Sequence, residues 1–134
     1  MLNDNAKKWV AALRSGNYDQ TTYQLVVTNS DSEPTGYCCL GVACDLYAQD
    51  NEIDVEYELE PHGEFGFIRF GHESTVLPPE VREWLGLRER TGGFEDGRIQ
   101  GESECHSLAD LNDAGATFKQ VADFIESEPK GLFA

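Results

Sequence analysis

Cysteines are the most reactive side chains in this sequence, and three of the four, Cys38, Cys39 and Cys44, fall in one apolar run, Thr35 to Tyr47. A helix starting there would place Cys38 and Cys39 in its first turn, where the helix dipole favours thiolate. With the imidazole of His62 or His72 as base, that arrangement would serve a Cys/His hydrolase. The run itself points the other way. Apart from Asp45 it is apolar or small on every side, the pattern of a helix buried all round. We therefore expect free, buried packing thiols and assign no catalytic residue. Cys38 or Cys39 with Cys44, Cys105 and His106 supplies zinc-ligand types, but no paired C-x-x-C knuckle. No metal and no cofactor are expected.

Two other patterns could do chemistry. From Glu52 to Glu60 acids alternate with Ile53, Val55, Tyr57 and Leu59. On a strand this makes a row of carboxylates roughly 6.7 Å apart on one face. Such a row could imitate a phosphate backbone and occupy a basic groove; the plainer reading is a solvated face that deters edge pairing. The second pattern is a set of residues suited to a nucleotide-type ligand, which needs cations or helix N-termini for phosphate and aromatics for a base. Candidates are Arg14, Tyr18 and Gln20 after the first helix, Tyr37, Arg69, and Asn112 with Asp113. No Walker or G-x-G-x-x-G pattern accompanies them.

These residues need elements to hold them. Asn3 or Asp4 caps a first helix to Arg14, with Ala6, Trp9, Val10 and Leu13 on one apolar stripe. A β-branched stretch from Thr21 to Thr28 reads as a strand. The apolar run is the central helix, capped by Thr35, with Gly41 admitting a close neighbour. Glu52 to Glu60 reads as a half-buried strand with its apolar face inward, and Glu64 to Phe70 returns as the second strand of a hairpin. Leu77-Pro78-Pro79-Glu80 starts a short helix that turns Val81, Trp84 and Leu85 inward. Arg88 to His106 is rich in glycine and reads as a long loop, with a small hairpin turning at Asp96-Gly97. Ser107 caps a helix to Asp113, and Thr117 with Gln120 forms a capping box for a last helix bearing Phe118, Val121, Ala122 and Ile125. The apolar tail, Gly131 to Ala134, can dock. The order predicts an α+β fold: a small antiparallel sheet of about three strands packed by a buried central helix and further helices.

Totals narrow the function classes. The chain has 134 residues, which suits one domain, and is 40% hydrophobic and 26% charged. Its net charge is -15, and no Lys or Arg occurs between Ser15 and Ile68. That disfavours direct binding to nucleic acid and to an anionic membrane. No signal peptide or membrane-length segment is seen, so a cytoplasmic protein is expected. A homo-oligomer is compatible with the sequence.

Trp9 to Gly16 (WVAALRSG), Tyr37 to Leu46 (YCCLGVACDL), Leu77 to Leu87 (LPPEVREWLGL) and Ser107 to Glu126 (SLADLNDAGATFKQVADFIE) occur together. The set, which covers most of the chain, resembles a family of small uncharacterised proteins of bacteriophages and bacterial genomes. The resemblance brings no activity with it. It implies a phage accessory protein, in a host cytoplasm, of the kind that blunts host defence. The expected function is sequestration of a nucleotide-derived immune signal. The alternatives are an acidic mimic bound to a basic host protein and the Cys/His hydrolase.

Overall fold

The structure is a computed structural model that describes residues 2–134. Eleven elements follow one another along it: α1 (Asp4–Arg14), β1 (Val26–Asn29), β2 (Pro34–Tyr37), α2 (Cys39–Asp50), β3 (Val55–Leu59), β4 (Phe65–Phe70), α3 (Pro79–Leu85), β5 (Gly93–Gln100), β6 (Ser103–Ser107), α4 (Leu108–Asp113) and α5 (Phe118–Glu126). The α+β class holds. The sheet is larger than expected: four antiparallel strands in the order β2-β1-β4-β3, with a separate two-stranded ribbon, β5-β6.

Helix α1 forms as its sequence predicts. Asn3 accepts a bond from the Ala6 amide, and Ala6, Trp9, Val10 and Leu13 are buried. The Trp9 indole donates to the Cys39 carbonyl at 2.8 Å, tying α1 to α2. Helix α2 starts later than Thr35 suggests. Pro34 to Tyr37 is strand β2, paired with β1, and Cys38 is the cap, its sulfur accepting from the Gly41 amide. Local apolar periodicity cannot distinguish a buried strand end from a helix start, so the pairing with β1 decides. Only the first half of α2, Cys39 to Cys44, is buried. A methyl group on Gly41 would stand 1.8 Å from the Leu25 carbonyl oxygen, so the glycine admits the backbone leading into β1.

The Thr21–Thr28 strand shrinks to Val26–Asn29. Residues before it are bent, and Tyr23 takes a positive φ of 70°. The long loop expected from Arg88 to His106 is instead mostly the β5-β6 ribbon, which turns at Gly101 and Glu102. Asp96 and Gly97 sit in the irregular stretch of its register, between Gly93 and Arg98. Glycines there serve a bulge and close packing rather than the turn. Ser107, Thr117 and Gln120 cap α4 and α5 as expected. The tail docks, with Leu132 fully buried and Phe133 bridged to Leu87. Trp84 is half-buried rather than core, edge-on to Tyr47.

Candidate functional site

Strand β3 departs furthest from its sequence pattern. Alternation places Val55, Tyr57 and Leu59 on the same face as Phe70, Ile68 and Gly66 of β4. Ile68 and Phe70 are buried in the core. Yet Val55, Tyr57 and Leu59 are 37%, 56% and 48% exposed. The expected inward face is therefore open. The reason is position: β3 ends the sheet, α2 packs on β2 and the buried Val26, Ile68 and Phe70 share the core with it, and no residue of β3 is covered. Alternation reports two chemically different faces; whether the apolar face is covered depends on how far the helices reach.

The opposite face of the same edge carries the acids. Glu56 and Glu58 lie across from Arg69 and Phe67, and Glu60 continues the row. Arg69 donates to Glu58 at 2.6 Å and lies over the Phe67 ring at 5.2 Å. That carboxylate raises the pKa of the guanidinium. His72, in a tight turn closed by reciprocal bonds between Phe70 and Glu73, approaches Glu56 at 3.0 Å and Asp54 at 3.9 Å. His62 sits in the turn between β3 and β4, exposed. Phe65, 55% exposed, adds an aromatic beside Glu60.

The hydrogen-bond pattern fixes which way the β3 backbone points. The Glu60 amide donates to the Phe65 carbonyl at 2.8 Å and the Gly71 amide to the Asp54 carbonyl at 2.8 Å. Hydrogen-bonded pairs alternate along an antiparallel ladder. Asp54, Glu56, Glu58 and Glu60 therefore turn their backbone groups toward β4. Val55, Tyr57 and Leu59 turn theirs outward, to the open edge.

The cysteines lie elsewhere. All four are free and buried. Burial pushes the Cys38 thiol up to about 11, only partly offset by backbone N–H groups at the helix start. It raises Cys39 and Cys44 well above the ordinary thiol value. Cys39 donates weakly to the Leu108 carbonyl. Neither His62 nor His72 bonds to any of them: His72 faces the acid row and His62 the β3–β4 turn. A thiol protonated at neutral pH, with no base beside it, is a packing group. Among the described residues, no group of three His, Cys, Asp or Glu is placed to hold a metal ion.

Of the residues proposed for a nucleotide, Arg14 and Arg69 stand apart, whereas Tyr18, Tyr37, Gln20 and Asn112 adjoin one another. Arg14 pairs with Asp123 at 2.6 Å and with Glu126, bracing α1 against α5. These carboxylates raise its pKa. Arg69 belongs to the outer sheet face. Tyr18 stacks edge-on with Tyr37 and donates to Asp45 at 2.6 Å. Burial first, then Asp45, raises the pKa of both phenols. Gln20 and Asn112 do meet. Gln20 donates to the Asn112 side-chain oxygen and the Ala116 carbonyl, and accepts from the Phe118 amide. Asn112, fully buried, accepts also from the Cys39 amide and donates to the Thr21 carbonyl. Asp113 accepts from the amide of Tyr23, holding that residue in its positive-φ conformation. Both amide side chains spend their polar atoms within the protein. An open cleft of about 420 Å³ lies beside them, lined by Gln20, Thr21, Thr22, Asn112, Gly115 and Ala116. It contains no cation to meet a phosphate.

Fold and site together define a small α+β protein with an uncovered, acidic sheet edge. The chain belongs to the domain of unknown function family DUF8296, whose model matches residues 1–129. No curated protein and no solved structure matches it. No helix among the described residues is long and apolar enough to cross a membrane.

Proposed function

We propose that this chain is a non-enzymatic binding protein that engages a basic protein partner through the β3 edge of its sheet. The observation that carries the reading is the exposure of every β3 residue, apolar and acidic faces alike. Val55, Tyr57, Leu59 and Phe65 form the larger part of the exposed bulky apolar side chains among the described residues. Exposed apolar side chains on one face of an open edge with carboxylates on the other have the composition of an interaction surface. The carboxylates select a basic partner and speed its encounter. The resemblance to phage-borne proteins supports a host defence protein as that partner.

Charge reversal tests it. Asp54→Lys with Glu56→Lys reverses two members of the negative row while leaving the Glu58–Arg69 pair; Glu102→Lys at the ribbon turn is the control. The wild type and the control should retain the same protein from a host lysate, and the double variant should lose it. Equal retention by all three would contradict the proposal.

A second reading rests on the cleft beside Gln20 and Asn112, whose volume of about 420 Å³ falls in the range of small-molecule pockets. It would take a nucleotide-derived signal and sequester it. Calorimetry against cyclic and ADP-ribose-type nucleotides tests this reading, and heat with none of them removes it.

A further inference from the structure

Resting on the β3-edge reading, we infer that the partner binds as an added antiparallel β-strand, an extended segment in which basic and apolar residues alternate. Three features of one edge require this mode. The backbone N–H and C=O groups of Val55, Tyr57 and Leu59 point away from β4, as the Glu60–Phe65 and Asp54–Gly71 bonds establish. The side chains of those same residues are exposed on the core side of the sheet. The acids flanking them in sequence occupy the other side.

An incoming antiparallel strand that bonds Tyr57 places the opposed residue on the face of Tyr57. That residue must be apolar, to cover Val55, Tyr57 and Leu59. Its two neighbours fall opposite Glu56 and Glu58, on the acidic face, and must be basic. Backbone bonds then supply affinity and alternation supplies specificity.

A second copy of the chain does not fit the same edge. Pairing β3 with itself about Tyr57 sets Glu56 against Glu58 of the other copy in both directions. Shifting the register by two residues brings other members of the same acid row together. Like charges directly opposed across a ladder are unfavourable, and of the groups that face the row from β4 and its turn, Arg69 pairs with Glu58 and His72 lies beside Glu56 and Asp54, so the row keeps its excess of carboxylates. The acids thus reject self-pairing and accept a basic strand, one device serving both ends.

Titrating the protein with short synthetic peptides, followed by amide NMR, tests the inference. The first peptide alternates lysine and valine; the second has the same composition with the lysines in one block. Two more carry the alternating sequence with N-methyl groups on the valine amides or on the lysine amides. The alternating peptide should bind, shift the Val55, Tyr57 and Leu59 amides and slow their exchange. Blocking the lysines, which breaks the match to the two faces, or methylating valine amides, which removes ladder donors, should weaken binding by at least about tenfold. Methylating lysine amides, which face away from β3, should spare it. If all four bind wild type alike and Asp54→Lys/Glu56→Lys abolishes them all, strand addition is overturned while the acidic-surface reading stands. If none binds, both fall. If the free protein is already a dimer with those three amides protected, a second copy holds the edge and the inference is overturned.

Discussion

Single residues divide cleanly into those that build the molecule and those that face outward. Cys38 illustrates the first kind. A helix start should favour its thiolate, but its sulfur is almost wholly enclosed, and burial wins by lifting it to about 11. In the unfolded chain the thiol titrates near the ordinary value of 9.0. The folded state therefore holds its proton longer, so the stability linked to Cys38 is complete below pH 9 and is lost as pH rises through 11. Urea midpoints should be level from pH 7 to 8.5 and fall between pH 9 and 11, with the decline reduced in Cys38→Ser. Native thiols should also resist a disulfide reagent at pH 8 and react once urea unfolds the chain. Asn112 and Gln20 are of the same kind. Residue type alone made them plausible ligand contacts, but type does not reveal whether polar atoms are already engaged. Only the three-dimensional partners, Cys39, Thr21, Ala116 and Phe118, show that they are.

At the scale of elements, legibility followed locality. Helices α1, α4 and α5 were readable because their caps and apolar stripes lie within a few residues: Asn3, Ser107, and Thr117 with Gln120. Gly41 was readable as a point of close approach, although its neighbour, Leu25, was not. Replacing Gly41 by alanine should cost about 1–3 kcal/mol or more, since backbone rather than a movable side chain occupies the space. A loss below about 1 kcal/mol in chemical denaturation would contradict that packing. Strand β2 was hidden because its partner β1 lies across the Asn29–Glu33 turn, and pairing outweighed the helical look of Thr35 to Tyr37. The β5-β6 ribbon was hidden because its irregular register scatters glycines where a hairpin turn would be sought. The open face of β3 was the least legible. Its alternation is that of a covered strand, and coverage is set by where α2 lies, which the strand does not encode. The acid row, the one part of the proposed site that needs only spacing, was legible at its centre: Glu56 and Glu58 lie in β3, Asp54 and Glu60 continue its bonding to β4, and Glu52 lies outside the strand.

Across the whole molecule, charge sorts by region. The helical half and ribbon hold the arginines, and most are paired: Arg14 with α5, Arg88 with Glu89 and Glu95, Arg90 with Glu73. The sheet has Arg69 alone against a row of carboxylates in a chain of net charge -15. Unbalanced charge therefore concentrates beside exposed apolar side chains on an edge with unpaired backbone. A long open edge is ordinarily an aggregation hazard, and acids are one way to keep it single until a matching strand arrives. Hydrogen exchange on the free protein tests this directly. Glu56, Glu58 and Glu60 amides should exchange slowly, and Val55, Tyr57 and Leu59 amides near the rate of unstructured chain, an alternation along one strand. Uniform protection from Val55 to Glu60 would mean the edge is already covered, and would contradict the account.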